Sequence, residues 1–62
     1  MRNKIKVYRS IQSMSQSDLA QKLKVSRQTI NAIENGKYSP SLELALQMTQ
    51  LFNCKVEDLF EL

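Results

Sequence analysis

Sixty-two residues make one domain, 1–62, near the lower size at which a chain folds alone. Such a domain buries roughly 60% of what its unfolded chain exposes, so a large internal substrate cavity is not expected. No histidine occurs and Cys54 is alone, which excludes an internal disulfide and a Cys/His zinc site. Cys54 reads as a small buried hydrophobe. With no Gly-rich phosphate cradle and no setting for a reactive thiol, neither an enzyme, a metal nor a cofactor is expected. No apolar run approaches the length of a membrane span and no secretory leader pattern is present, so the expected compartment is the cytoplasm.

Charge is distributed unevenly. Residues 1–37 carry eight Lys/Arg against Asp18 and Glu34, a balance of +6, whereas residues 38–62 carry Lys55 against Glu43, Glu57, Asp58 and Glu61, a balance of −3. A basic half of this kind is the footprint of a polyanion-binding face, although any solvated face is also charged.

In chain order, Asn3 caps a first helix reaching about Gln12, with Ile5 and Tyr8 inward. Val7 and Ile11 lie on a neighbouring face; either the domain buries both or they form a small exposed patch, and partial burial is the expectation. Met14 closes the turn. Ser15 then caps a second helix with Asp18 as reciprocal partner and Leu19, Ala20 and Leu23 as buried stripe. Ser26 opens a third helix whose inward face is Ile30 and Ile33, flanked by Thr29. Arg27, Gln28, Asn31 and Ala32 fall on its outer side. Asn35-Gly36 stops it, because glycine takes left-handed geometry without steric cost.

The stretch Ser15 to Gly36 is therefore two short helices joined by a tight turn. The second has an apolar back and an outer face of small polar and cationic groups, which suits the DNA major groove: Arg, Gln and Asn can make bidentate hydrogen bonds to base edges.

Pro40 biases Ser39 away from helix, so residues 37–40 form a loop. Ser41 caps a fourth helix to about Phe52, with Leu42, Ala45, Met48, Leu51 and Phe52 inward and Leu44 and Leu46 spare. Asn53 ends it, and residues 57–60 form a last turn of helix among the apolar Val56, Leu59 and Phe60. The expected fold class is all-α, a compact bundle of five short helices with no strand signal. Core burial and a dimer interface explain Leu59 and Phe60 equally well; Leu62 leans towards the interface.

With these segments in place, the chain resembles the Cro and phage-repressor type of helix-turn-helix domain, the XRE-like family, which is lambda-repressor-like in fold. The resemblance covers Ile5 to Phe60 and rests on IKVYR, MSQSDLAQKL, VSRQTINAIENGKYSPSLELAL and VEDLF at the family's spacing. It implies a recognition helix whose base-contacting residues would be Ser26, Arg27, Gln28, Asn31 and Ala32. Gln16 and Lys37 would contact phosphate, with Lys22 and Lys24 as further positive side chains that position the backbone. It pairs Arg9 with Glu34 as a structural ion pair. Two positions depart from the pattern: Lys24 stands where many relatives have glycine, and Lys55 replaces a capping serine or threonine.

The resulting expectation is a sequence-specific regulator of transcription, a repressor binding double-stranded DNA as a homodimer on a palindromic operator. No membrane partner and no small-molecule effector are implied. The alternatives are an antitoxin-like partner that binds DNA only in complex with another protein, or a protein-interaction module without DNA binding.

Overall fold

The helices start and stop through local chemistry. The computed structural model describes residues 1–62. Its elements run β1 (Arg2–Asn3), α1 (Ile5–Ile11), α2 (Gln16–Leu23), α3 (Arg27–Glu34), α4 (Leu42–Phe52), α5 (Val56–Leu59) and β2 (Phe60–Glu61). Ser15, Ser26 and Ser41 have extended backbone, and each hydroxyl accepts the backbone N–H three residues on, from Asp18, Thr29 and Leu44, at 3.0 to 3.1 Å. This satisfies a donor that a helix start otherwise leaves unpaired. At Ser15 the bond is returned, the Asp18 carboxylate accepting the Ser15 N–H at 3.0 Å. Lys55 has no oxygen to offer α5, and there the Asp58 carboxylate alone does the work by accepting the Lys55 N–H at 3.1 Å.

The first four helices end alike. Ser13, Lys24, Gly36 and Asn53 have φ of 54°, 60°, 74° and 55°. The next residue then donates its N–H to a carbonyl five positions back: Met14 to Arg9, Val25 to Ala20, Lys37 to Ala32 and Cys54 to Thr49, at 2.9 to 3.0 Å. This is the Schellman closure, and glycine fills its left-handed position at only one of the four stops.

The five-helix all-α bundle agrees with the sequence reading, with one addition that reading lacked. β1 and β2 form a two-stranded antiparallel sheet, Arg2 opposite Glu61 and Asn3 opposite Phe60, which ties the two ends of the chain together. Strands of two residues carry no readable alternation, so only the folded backbone reveals them. Asn3 caps α1 from one position further out than a standard cap, its Oδ1 accepting the Ile5 N–H at 3.2 Å, and its Nδ2 donates to the Ile33 carbonyl at 2.8 Å. The amino-terminal segment is thereby fastened to the end of α3.

The core gathers Ile5, Leu19, Ala20, Ile30, Ile33, Ala45, Met48, Phe52, Leu59 and Phe60, with Tyr8 packed beside Phe52 at a ring separation of 5.7 Å. Each large aliphatic there adds about 1.5–3 kcal/mol by leaving water. Three expectations about burial are corrected. Val7 and Ile11 stand out of the core at 54% and 73% exposure, because the face of α1 that carries them meets no other element. Leu42 is exposed: in the first residue of α4 it lies beyond the end of the core, although it continues the Ala45, Met48, Thr49, Phe52 stripe. Leu44, read as spare, packs against the core. Thr49 occupies the stripe because its hydroxyl donates to the Leu46 carbonyl at 2.8 Å and so is not left unpaired. No helix is long and apolar enough to cross a membrane.

Candidate nucleic-acid interface

Helix α3 turns Ile30 and Ile33 into the core and leaves Arg27, Gln28 and Asn31 exposed. The serine cap at its start lets residue 27 begin the helix, so the two longest polar side chains project from its first turn. Arg27 and Gln28 are free of the internal bonds that engage their neighbours. The Ser26 hydroxyl accepts the Thr29 N–H at 3.1 Å and lies 2.9 Å from the Thr29 hydroxyl. Its first role is therefore to build the helix that presents Arg27 and Gln28. Asn31 accepts a bond from the Asn35 amide at 3.1 Å, which leaves its own Nδ2 to donate outward. Ala32 is half-buried, so the outer face is narrower than periodicity suggests.

Behind this face lies a charged cluster that joins three helices. Arg9 on α1 donates from Nε and Nη2 to the two carboxylate oxygens of Glu34, at 2.6 and 3.1 Å, and from Nη1 to the Met14 carbonyl at 2.8 Å. Both side chains are largely buried, with 12% and 6% exposure. A planar guanidinium suits this two-pronged contact with a carboxylate. The pairing matches the one the resemblance implied. Gln16, the first residue of α2, adds a bond that sequence reasoning missed: its Nε2 donates to Glu34 Oε1 at 3.0 Å. No spacing rule reveals a contact between residues 18 positions apart on different helices.

The remaining basic residues are spread out. Lys37 is exposed in the loop that follows α3, held there by its own N–H on the Ala32 carbonyl. Lys22 and Lys24 are exposed around a shallow hollow shared with Gln47, Gln50 and Leu51 of α4. Lys24 does adopt the left-handed geometry that a lysine disfavours, with φ 60° and ψ 40°. At the other end, Leu59 and Phe60 are core residues at 0% and 8% exposure, so of the two readings open for them core burial is the one that holds and the interface reading falls; Leu62 is fully exposed. Cys54 is half-buried against the core, and burial together with nearby Asp58 pushes its thiol above the ordinary range. That is the opposite of what an activated cysteine needs.

The two capped helices, the tight turn and the polar face of the second define a helix-turn-helix, and the family comparison agrees. The family model described as helix-turn-helix matches residues 5–59, and the chain belongs to this family, the Cro and phage-repressor type of DNA-binding regulator. Among similar proteins is an uncharacterised HTH-type transcriptional regulator of Methanocaldococcus jannaschii, 57% identical over 97% of this chain and 91% of its own length. Uncharacterised HTH-type transcriptional regulators of Archaeoglobus fulgidus and Bacillus subtilis are each 47% identical over 97% of this chain, covering 84% and 91% of their own lengths.

Proposed function

We propose that this protein is a sequence-specific regulator of transcription, a cytoplasmic repressor that binds a roughly palindromic operator as a homodimer and blocks access to it. The observation that carries the reading is the exposed first turn of α3, where Arg27 and Gln28 project from a helix whose back is anchored by Ile30 and Ile33. In this reading α3 lies in the major groove, Arg27 pairs with guanine and Gln28 with adenine, and the Asn31 amide adds a donor. Each good bidentate contact contributes about 1–3 kcal/mol of discrimination. Lys37 and Gln16 hold phosphates on either side, and Lys22 and Lys24 add positive charge without reading sequence. One domain, residues 1–62, supplies a single reading helix; two copies place two such helices in successive major grooves about 34 Å apart.

The test is selection of binding sites from random duplexes with the wild type and Gln28→Ala. The preferred sequence should change at the position Gln28 reads, and identical preferences would remove the assignment. Lys37→Ala should weaken all sequences alike and lower the salt slope by about 0.9 for one lost charge contact. A second reading, a module that binds DNA only with a protein partner, draws support from the exposed Val7 and Ile11 on α1. It predicts that the isolated protein selects no duplex.

A further inference from the structure

We propose that Glu34 is a positioning residue for DNA: it orients Gln16 so that the outer amide N–H meets a phosphate, while Arg9 neutralises the carboxylate that the phosphate would otherwise meet. The proposal rests on the DNA-binding reading above and assigns the buried ion pair a role beyond holding helices together.

A glutamine amide has two N–H donors. In Gln16 one of them is taken by Glu34 Oε1 at 3.0 Å, which fixes the plane of the amide and leaves the second N–H directed away from the carboxylate. Gln16 is the first residue of α2, where the unpaired backbone N–H groups of the helix start already favour an anion. A phosphate oxygen accepting the second N–H would sit about 5 Å from the Glu34 oxygen, the separation set by two ordinary hydrogen bonds diverging from one nitrogen. Two anions at that distance repel unless one is neutralised. Arg9 does this, donating from Nε and Nη2 to the two carboxylate oxygens, while its Nη1 is anchored on the Met14 carbonyl. The arrangement is shielded from water on the carboxylate side, so Gln16 is held without a flexible tether. A long polar side chain that is already fixed loses less rotamer freedom when it binds.

The closing experiment measures duplex affinity and its salt dependence for the wild type, Gln16→Ala, the apolar replacement Arg9→Met with Glu34→Leu, and the combination of all three, each referred to its folded fraction. Replacing both partners of a buried pair by apolar groups leaves no orphaned charge, so the double replacement is the variant best suited to stay folded. Gln16→Ala should lower affinity about tenfold for every sequence, the worth of one hydrogen bond to a charged group. The salt slope should not change, because an uncharged donor releases no counterion. The double replacement should lose the same factor, and adding Gln16→Ala to it should cost nothing more. Wild-type affinity in the folded double replacement would overturn the proposal, as would losses that multiply in the combined variant.

A second measurement uses the unaltered protein and so does not depend on any variant folding. In nuclear magnetic resonance, one Gln16 side-chain amide proton should keep its shift when DNA is added and the other should move. Movement of both, signalling release from Glu34, would overturn the proposal. No duplex binding by the wild type even at low salt would instead remove the DNA reading itself, and the proposal with it.

Discussion

The chain uses the same turn three times: Ser13, Met14 and Ser15 join α1 to α2, and the other two copies differ in what they present. Between α2 and α3 it runs Lys24, Val25, Ser26; between α4 and α5 it runs Asn53, Cys54, Lys55. In both, a left-handed residue ends the first helix, the next residue returns its N–H five positions back at 3.0 Å, and an extended residue opens the second helix. The backbone alone does not make one of them a reader of DNA. What differs is the side chains the turn delivers. The first opens an eight-residue helix that presents Arg27, Gln28 and Asn31, and the second a four-residue helix that presents Glu57 and Asp58. Acidic groups on the second would repel phosphate, so charge separates a candidate interface from a structural corner of nearly identical geometry.

The two corners are also secured differently, and the largest expected effect tests that difference. The far end of α3 is held by the Arg9–Glu34 pair, whereas α5 runs into β2 and is held by backbone bonds to β1. Arg9→Ala leaves the Glu34 carboxylate buried without its partner. It should cost about 3–5 kcal/mol in urea unfolding, a large share of what so small a domain has. By contrast the exposed Arg2–Glu61 pair at 3.6 Å should contribute at most about 1 kcal/mol, measured by the same titration of Arg2→Ala.

The caps come next. Ser26→Ala removes the hydroxyl that accepts the Thr29 N–H and should destabilise by about 1 kcal/mol. Lys55→Ser supplies the oxygen that the second corner lacks and should stabilise by up to about 1 kcal/mol, with Asp58 already in place as reciprocal partner. An unchanged midpoint for both would show that the corners are held by packing rather than by their caps.

A comparable effect is expected at the left-handed residues. Lys24→Gly should relieve strain on the order of 1 kcal/mol and raise Tm by about 4–8 °C in thermal unfolding. A clear drop would contradict the left-handed turn seen here. Asn53 tolerates the same geometry better, so Asn53→Gly should gain less.

The smallest effect is confined to acid. The backbone N–H of Ser15, then the Ser15 side chain, hold the Asp18 carboxyl below its ordinary value. A folded-state pKa that is lowered contributes stability above the unfolded value, and that contribution is lost as pH falls through the folded pKa. The stability gap between wild type and Asp18→Asn should therefore be present at neutral pH and narrow below about pH 4, near the ordinary value for Asp. A gap independent of pH would mean that the charge of Asp18 has no part in the cap.

Much of this was open to reading from the residues themselves. The serine caps at 15, 26 and 41 rest on contacts three residues away, and the Ile30/Ile33 stripe on helical period, so local chemistry determines both. Even the left-handed Lys24 was legible, because a turn that needs positive φ leaves its mark when glycine is missing. The burial of α1 and α4 was less so. Val7, Ile11 and Leu42 are apolar at positions that continue a plausible stripe, and whether another element reaches them depends on where that element lies.

The sequence by itself determined five helices, the serine caps of three of them, their apolar faces and the sign of charge on each half of the chain, because these are properties of residues within a turn or two of one another. The tertiary structure alone decided that Leu59 and Phe60 belong to the core, that the chain's two ends pair as strands, and that Gln16 meets Glu34. Each of those requires segments distant in sequence to arrive at one place, and the energy that brings them there comes from burying the shared core.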